Sequence, residues 1–401
     1  MPTRSAPDVP HRTTVPTRDD RQVYAMNPRA PRRRTSRSAK LFSAGAAVAA
    51  TAGAALAAVV PAPPAHAPRP TAPRTTEAPA PPEATARPTT PGATAPPARP
   101  APRTTIAFSP YVDTSLTPVP DLLGTARRTG VDHFTLAFLT SDGGCNPAWG
   151  GDGDLDDDPV ARQIDGLRAA GGDVRVSFGG ADGSELALAC HSSDALAAAY
   201  VKAVDRYRLT AVDLDIEGGS LDDTAAGTRR ARAIARLQRS HPGLDVSLTL
   251  PATPDGLTED GVRLVTDARR HGVTVSTVNV MAMDYGASYD GDMGRYAIRA
   301  ATATQAQLKD ALGLGDAEAW RAVAVTPMIG VNDVRTETFT PGDAAELAAF
   351  ARRRHLGGLS MWSAGRDRPC PGGPRRSASP TCSSIDQRPL DFTRAFTTRT
   401  G

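Results

Sequence analysis

Ala211-Val212-Asp213-Leu214-Asp215-Ile216-Glu217-Gly218-Gly219 alternates apolar and acidic residues and then ends in two glycines. A period of two marks a β-strand, whose successive side chains point to opposite faces. Val212, Leu214 and Ile216 are therefore expected to face a layer of helices, and Asp213, Asp215 and Glu217 to share the other face. Alternate residues rise by about 6.6 Å, so Glu217 is outermost, Asp215 one step below it and Asp213 deepest. A buried, unpaired carboxylate is costly and takes up a proton or finds partners. Crowded carboxyls also push one another's pKa values apart. Glu217 is expected to keep its proton near neutral pH and to serve as a general acid. Two readings compete: three acids paired with arginines, or a divalent metal site of oxygen ligands. Against the metal, no further inward acid or histidine cluster completes a shell.

Similar β-branched or aromatic runs recur on both sides of this strand. Ile106–Tyr111, His133–Leu139, Asp173–Phe178, Ala211–Ile216, Asp245–Leu250, Thr274–Met281, Val323–Met328 and Gly357–Met361 read as strands. Helical patterns fall between them, one from Asp158-Pro159, others over Ala195–Tyr207 and Asp223–Ser240, and one from near Pro341. Eight βα units over residues 105–401 predict an α/β protein of the (β/α)8 TIM-barrel class, whose active sites lie at the C-terminal ends of the strands. The runner-up is an open doubly wound sheet, but no GxGxxG follows the first strand.

The chain ahead of the barrel is different in kind. Residues 1–104 carry 15 Lys/Arg against 5 Asp/Glu, and residues 105–401 carry 31 against 38. The positive charge is thus not on the part that folds, which argues against a nucleic-acid partner. Arg32, Arg33, Arg34, Arg37 and Lys40 precede an Ala/Gly-rich apolar run, Leu41–Val60, and then Ala65-His66-Ala67. This reads as an export signal over 1–67, with Met26 an alternative start; an uncleaved anchor is the other reading of the run. Residues 68–104 are rich in Pro, Ala and Thr and read as a disordered, semi-rigid linker. The mature protein is expected to be secreted, monomeric and without a lasting membrane partner.

Cys145, Cys190, Cys370 and Cys382 suit an oxidising destination. Of three pairings, Cys145–Cys190 and Cys370–Cys382 place each pair on neighbouring barrel loops; free thiols are the alternative. Trp149, after the second strand, overhangs the mouth as a candidate sugar-stacking residue or a loop anchor. The acidic run Asp152–Asp158 lacks the closing Glu of an EF-hand, since Gln163 stands there, and reads as a solvated entry to the next helix. The histidines show no ligand spacing, and no metal is expected.

The strand of acids resembles the D-x-x-D-x-D-x-E signature of glycoside hydrolase family 18, the family of many chitinases. Asp213, Asp215 and Glu217 match its last three acids, and Thr210 replaces the first, which marks a divergent branch. Ser177-Phe178-Gly179-Gly180 resembles the family's S-x-G-G element. Met281-Ala282-Met283-Asp284-Tyr285 resembles M-x-Y-D, with Met283 in the tyrosine's place, and Trp362 matches the tryptophan under the sugar. The resemblance runs from residue 106 to about 396. It implies a chitinase-like catalytic domain that needs no cofactor and acts on chitin or another N-acetylglucosamine-containing glycan.

It also implies roles. Glu217 is the catalytic acid, Asp215 and Asp213 assist it, and Trp362, Met281, Asp284 and Tyr285 contact substrate. The implied reaction is retaining hydrolysis of β-1,4 linkages in which the substrate's 2-acetamido group takes part. Few aromatic residues, and no binding module after the barrel, suggest a shallow, non-processive, endo-acting cleft. Two alternatives stay open: an endo-β-N-acetylglucosaminidase acting on N-glycan cores, and a catalytically silent lectin on the same barrel.

Overall fold

The computed structural model describes residues 107–398, so the expected signal region (1–67) and linker (68–104) lie outside the described residues. Eight parallel strands form its centre: β1 (Tyr111–Asp113), β2 (His133–Ser141), β3 (Asp173–Gly179), β4 (Ala211–Asp215), β5 (Asp245–Thr253), β6 (Thr277–Ala282), β7 (Val323–Pro327) and β8 (Gly358–Leu359). They pair in chain order. Leu359 N donates to Ala107 O at 2.9 Å and Ser109 N to Leu359 O at 3.0 Å, which brings β8 back to the segment before β1. The sheet closes into a (β/α)8 barrel.

The helices alternate with the strands. Among them are α1 (Leu122–Thr129), α2 (Ile164–Ala169), α3 (Ser193–Tyr207), α4 (Thr224–Ser240), α5 (Glu259–Arg270), α6 (Met293–Leu312), α7 (Pro341–Arg354) and α8 (Asp391–Thr397). Local chemistry sets their starts. Ser192 and Asp223 accept from the backbone N–H of Ala195 and Ala226 at the N-termini of α3 and α4. Thr340 and Asp343 form a capping box with Pro341 in the first turn of α7. Asp158 accepts from Val160 and Ala161, as its place before Pro159 suggested, although the first turn is a 3-10 turn, Ala161–Gln163, ahead of α2.

The first strand departs from its expected span of Ile106–Tyr111. Regular pairing with β2 runs only over Tyr111–Asp113, and Phe108 makes an isolated bridge to Leu359. Pro110 lies between them and has no N–H to give the ladder.

The alternation read from the fourth strand is realised in the packing. Val212, Leu214 and Ile216 are buried in one apolar cluster with Leu196 and Tyr200 of α3 and Ile234 of α4. Burial of each such side chain contributes about 1.5–3 kcal/mol. Facing the axis, Ser177, Asp213 and Ser247 share one register across β3, β4 and β5, and Thr249 pairs with Asn279 of β6. The lower barrel is thus filled by hydrogen-bonding side chains rather than aliphatic ones.

Candidate active site

Asp213 is the deepest of the three acids, and it is surrounded by hydroxyls. Tyr111 Oη and Ser177 Oγ donate to its Oδ2 at 2.9 and 2.7 Å, and Ser247 Oγ and Thr249 Oγ1 to its Oδ1 at 2.5 and 2.8 Å. Asn279 Nδ2 donates onward to Thr249 at 3.0 Å, and Thr326 Oγ1 to Asn279 Oδ1 at 2.9 Å. Strands β1, β3, β4, β5, β6 and β7 all contribute, so closure of the barrel is what assembles this network.

Asp215, one step up, has no such company. It is buried, and its Oδ1 has no hydrogen-bond partner. Burial, then the charges of Glu217 and Asp213, raise its pKa well above the carboxylate range. Glu217 lies two residues beyond β4, half-buried at the cleft. Burial, followed by Asp182 and Asp284, pushes its carboxyl up to about 7. A carboxyl so tuned holds a proton near neutrality and can donate it.

Two glycines make this crowding possible. Gly179 has φ +102°, and a Cβ there would lie 2.0 Å from the carbonyl oxygen of Asp215. Gly180 has φ +90°, and a Cβ would lie 2.7 Å from the ring of Phe138. Only glycine takes this backbone conformation without strain and leaves that space free. Phe138 in turn stacks on Trp362, with centroids 5.5 Å apart and planes at 23°, and Tyr111 meets Trp362 edge-on at 5.9 Å. Met281, Met283 and Met328 pack with Trp362, and all four line the cleft with the acids.

Asp284 belongs to a second group of acids behind the cleft. It has φ 51°, its Oδ1 accepts from Val334 N at 2.8 Å, and its Oδ2 is buried without a hydrogen bond. Burial raises its pKa to about 6. Glu337, wholly buried, accepts from Gly286 N at 2.8 Å, and burial raises it to about 7. The loop after β6 thus holds the loop after β7 through Asp284, and is held by it through Glu337.

The structure brings Asp213, Asp215, Glu217, Met281 and Trp362 together around one cleft. Three expected substrate contacts lie outside its lining: Asp284, in the group of acids behind it, Tyr285 and Trp149. Tyr285 is buried beside Tyr289 and Tyr296, because the left-handed residue before it turns the chain and ends the strand alternation. Trp149 is 3% exposed, and its indole N–H donates to Tyr207 Oη at 2.7 Å; the hairpin folds it onto α3, where it anchors the loop. Tyr111, Phe138, Asp182 and Glu337 were not singled out from sequence. Tyr111 and Phe138 stand on strands and carried a signal; Asp182 and Glu337 stand on loops and carried none. Both expected disulfides form, Cys145–Cys190 and Cys370–Cys382, with Cα atoms 4.7 and 5.0 Å apart.

No family model matches the chain. Among solved structures, the catalytic domain of a hyperthermophilic chitinase from Pyrococcus furiosus is 35% identical, with a TM-score of 0.66 over 72% of this chain and 93% of that one. The chain belongs to glycoside hydrolase family 18. Catalytic-site mutants of active domain 2 of the thermostable Pyrococcus furiosus chitinase, complexed with chito-oligosaccharides, are similar at 34% identity and a TM-score of 0.66, over 72% of this chain and 92% of theirs. The probable bifunctional chitinase/lysozyme of Escherichia coli (strain K12) is 39% identical over 280 residues, 65% of this chain. Endochitinase 11 of Metarhizium anisopliae is 38% identical over 281 residues, also 65% of this chain. The family 18 chain spans 31% and 52% of the lengths of these two relatives.

Proposed function

We propose that this protein is a secreted, endo-acting chitinase that hydrolyses β-1,4 bonds between N-acetylglucosamine units with retention of configuration, the substrate's acetamido group acting as the nucleophile. The observation that carries this reading is a proton-holding carboxyl, Glu217, beside a buried acid, Asp215, that has an oxygen without a partner. The chito-oligosaccharides bound by the Pyrococcus furiosus mutants support the substrate class.

The residues divide the work as follows. Trp362 receives the apolar face of the sugar on the non-reducing side of the cut bond, with Met281 and Met283 beside the acetamido methyl. Glu217 gives its proton to the glycosidic oxygen as the bond to the anomeric carbon breaks. The acetamido oxygen attacks that carbon from the opposite face and closes an oxazolinium ring. Asp215 Oδ1, without a partner in the resting site, accepts the acetamido N–H as positive charge forms there. Asp213, fixed by four hydroxyls, holds the charge beneath it. Glu217, now a carboxylate, takes a proton from water as that water opens the ring, which restores both the acid and the original configuration.

Secretion is supported by the basic cluster, apolar run and Ala65-His66-Ala67 of the leader. Two disulfides agree with an oxidising destination. Incubation with colloidal chitin, and separately with a high-mannose glycoprotein, tests the assignment. Di- and trisaccharides from chitin, first released as the β-anomer, are expected. Release of glycans from the glycoprotein, or α-anomer first, would overturn it.

A further inference from the structure

Arg230 of α4 and Glu185, on the loop after β3, form an ion pair inside the protein. Arg230 Nη2 donates to Glu185 Oε2 at 2.7 Å, and the two side chains are 1% and 4% exposed. Other pairs, such as Arg206 with Asp156 and Arg208 with Asp165, stand on the outer surface. A buried ion pair is often no more stabilising than apolar residues of the same volume, so stability alone does not account for this one.

Its neighbours lead to the cleft. Arg230 Nη2 also reaches the carbonyl oxygen of Ser220 at 3.4 Å. Ser220 in turn gives both its N–H and its hydroxyl to the carbonyl oxygen of Glu217, at 3.2 and 2.8 Å. Glu217 stands past the end of β4, and Gly218 turns the chain away with φ +53°. The turn closed by Ser220 therefore sets where the Glu217 backbone lies. On its other side Glu185 accepts from Ala187 N at 3.0 Å and from Tyr200 Oη at 3.4 Å. Its Cγ lies 3.6 Å from where a Cβ on Gly179 would sit, beside the close approach to the Asp215 carbonyl. Neither Arg230 nor Glu185 lines the cleft.

We propose that Arg230 and Glu185 are positioning residues for the general acid: from α4 and the loop after β3 they fix the Ser220 turn, and through it the place of Glu217 beside Asp215. This rests on the hydrolase reading above.

The test uses the full chain, chito-oligosaccharides and the double variant Glu185→Gln/Arg230→Met, which leaves no lone charge in the interior and should keep its fold. Small misplacement of a catalytic group is costly, so kcat should fall by about tenfold with KM within about twofold. The alkaline limb of the pH–rate profile, placed at about 7 by Glu217, should move down by about one pH unit as its carboxyl leaves its buried place beside Asp182 and Asp284. A merely structural role lowers Tm and moves neither the limb nor the ratio of kcat to KM effects. Ser220→Ala removes one hydroxyl, should lower kcat by about threefold with the same shift in sign, and decides the matter if the double variant does not fold. An unchanged kcat and an unmoved limb, or a loss carried by KM alone, overturn the inference alone. Failure of the unaltered protein to cut chito-oligosaccharides overturns the hydrolase reading, and this inference with it.

Discussion

Tyr111 Oη reaches Asp213 Oδ2 across 2.9 Å, joining residues 102 positions apart in sequence at the bottom of the cleft. The same tyrosine sets its ring edge against Trp362, so one side chain links the buried charge to the aromatic platform. Tyr111→Phe keeps the ring and removes one donor. A hydrogen bond to a charged group is worth about 1.5–3 kcal/mol. Steady-state kinetics on chito-oligosaccharides should show kcat lower by about tenfold and KM nearly unchanged.

The pH–rate profile follows from Glu217. Its carboxyl is pushed up to about 7 and must be protonated to act, so kcat/KM should fall about tenfold per pH unit above that value. A rate that stays level to pH 9 would remove Glu217 as the acid.

Stability carries the same sign at Glu337. Its folded-state pKa is raised to about 7 from the ordinary 4.5, so its contribution is fully present below pH 4.5 and is lost as pH rises through 7. Glu337→Gln cannot ionise and should soften that loss. Calorimetry should find the variant's Tm above wild type by about 3 °C at pH 8 and equal to it at pH 5.

Much of this site was legible in one strand, because alternation assigns faces wherever the backbone stays extended. Asp213 and Asp215 lie on the axis side, with Val212 and Leu214 behind them in the apolar cluster. The same rule gave out where the chain turned. Tyr285 follows a residue with φ 51°, and Trp149 lies in a hairpin that pairs back on β2. Glu337 lay beyond it as well, since what places it is a hydrogen bond from Gly286 of another loop, 51 residues away.

Gly180 offers a test of that close packing. An added methyl group at this position meets Phe138, which is stacked on Trp362. Gly180→Ala should lower kcat/KM at least tenfold, and the loss should be accompanied by a changed tryptophan fluorescence as the aromatic pair separates.

The disulfides should differ in value by loop length. Cys145–Cys190 closes 45 residues and Cys370–Cys382 closes 12. Chain entropy gives about 4 and about 3 kcal/mol respectively. Urea unfolding of the paired Cys→Ser variants should show that order.

The most direct measurement is the turnover of Glu217→Gln on chito-oligosaccharides, with Tm and oligosaccharide affinity taken on the same sample. The account predicts kcat lower by about 10³ with folding and binding intact. Turnover within tenfold of the unaltered protein would contradict it.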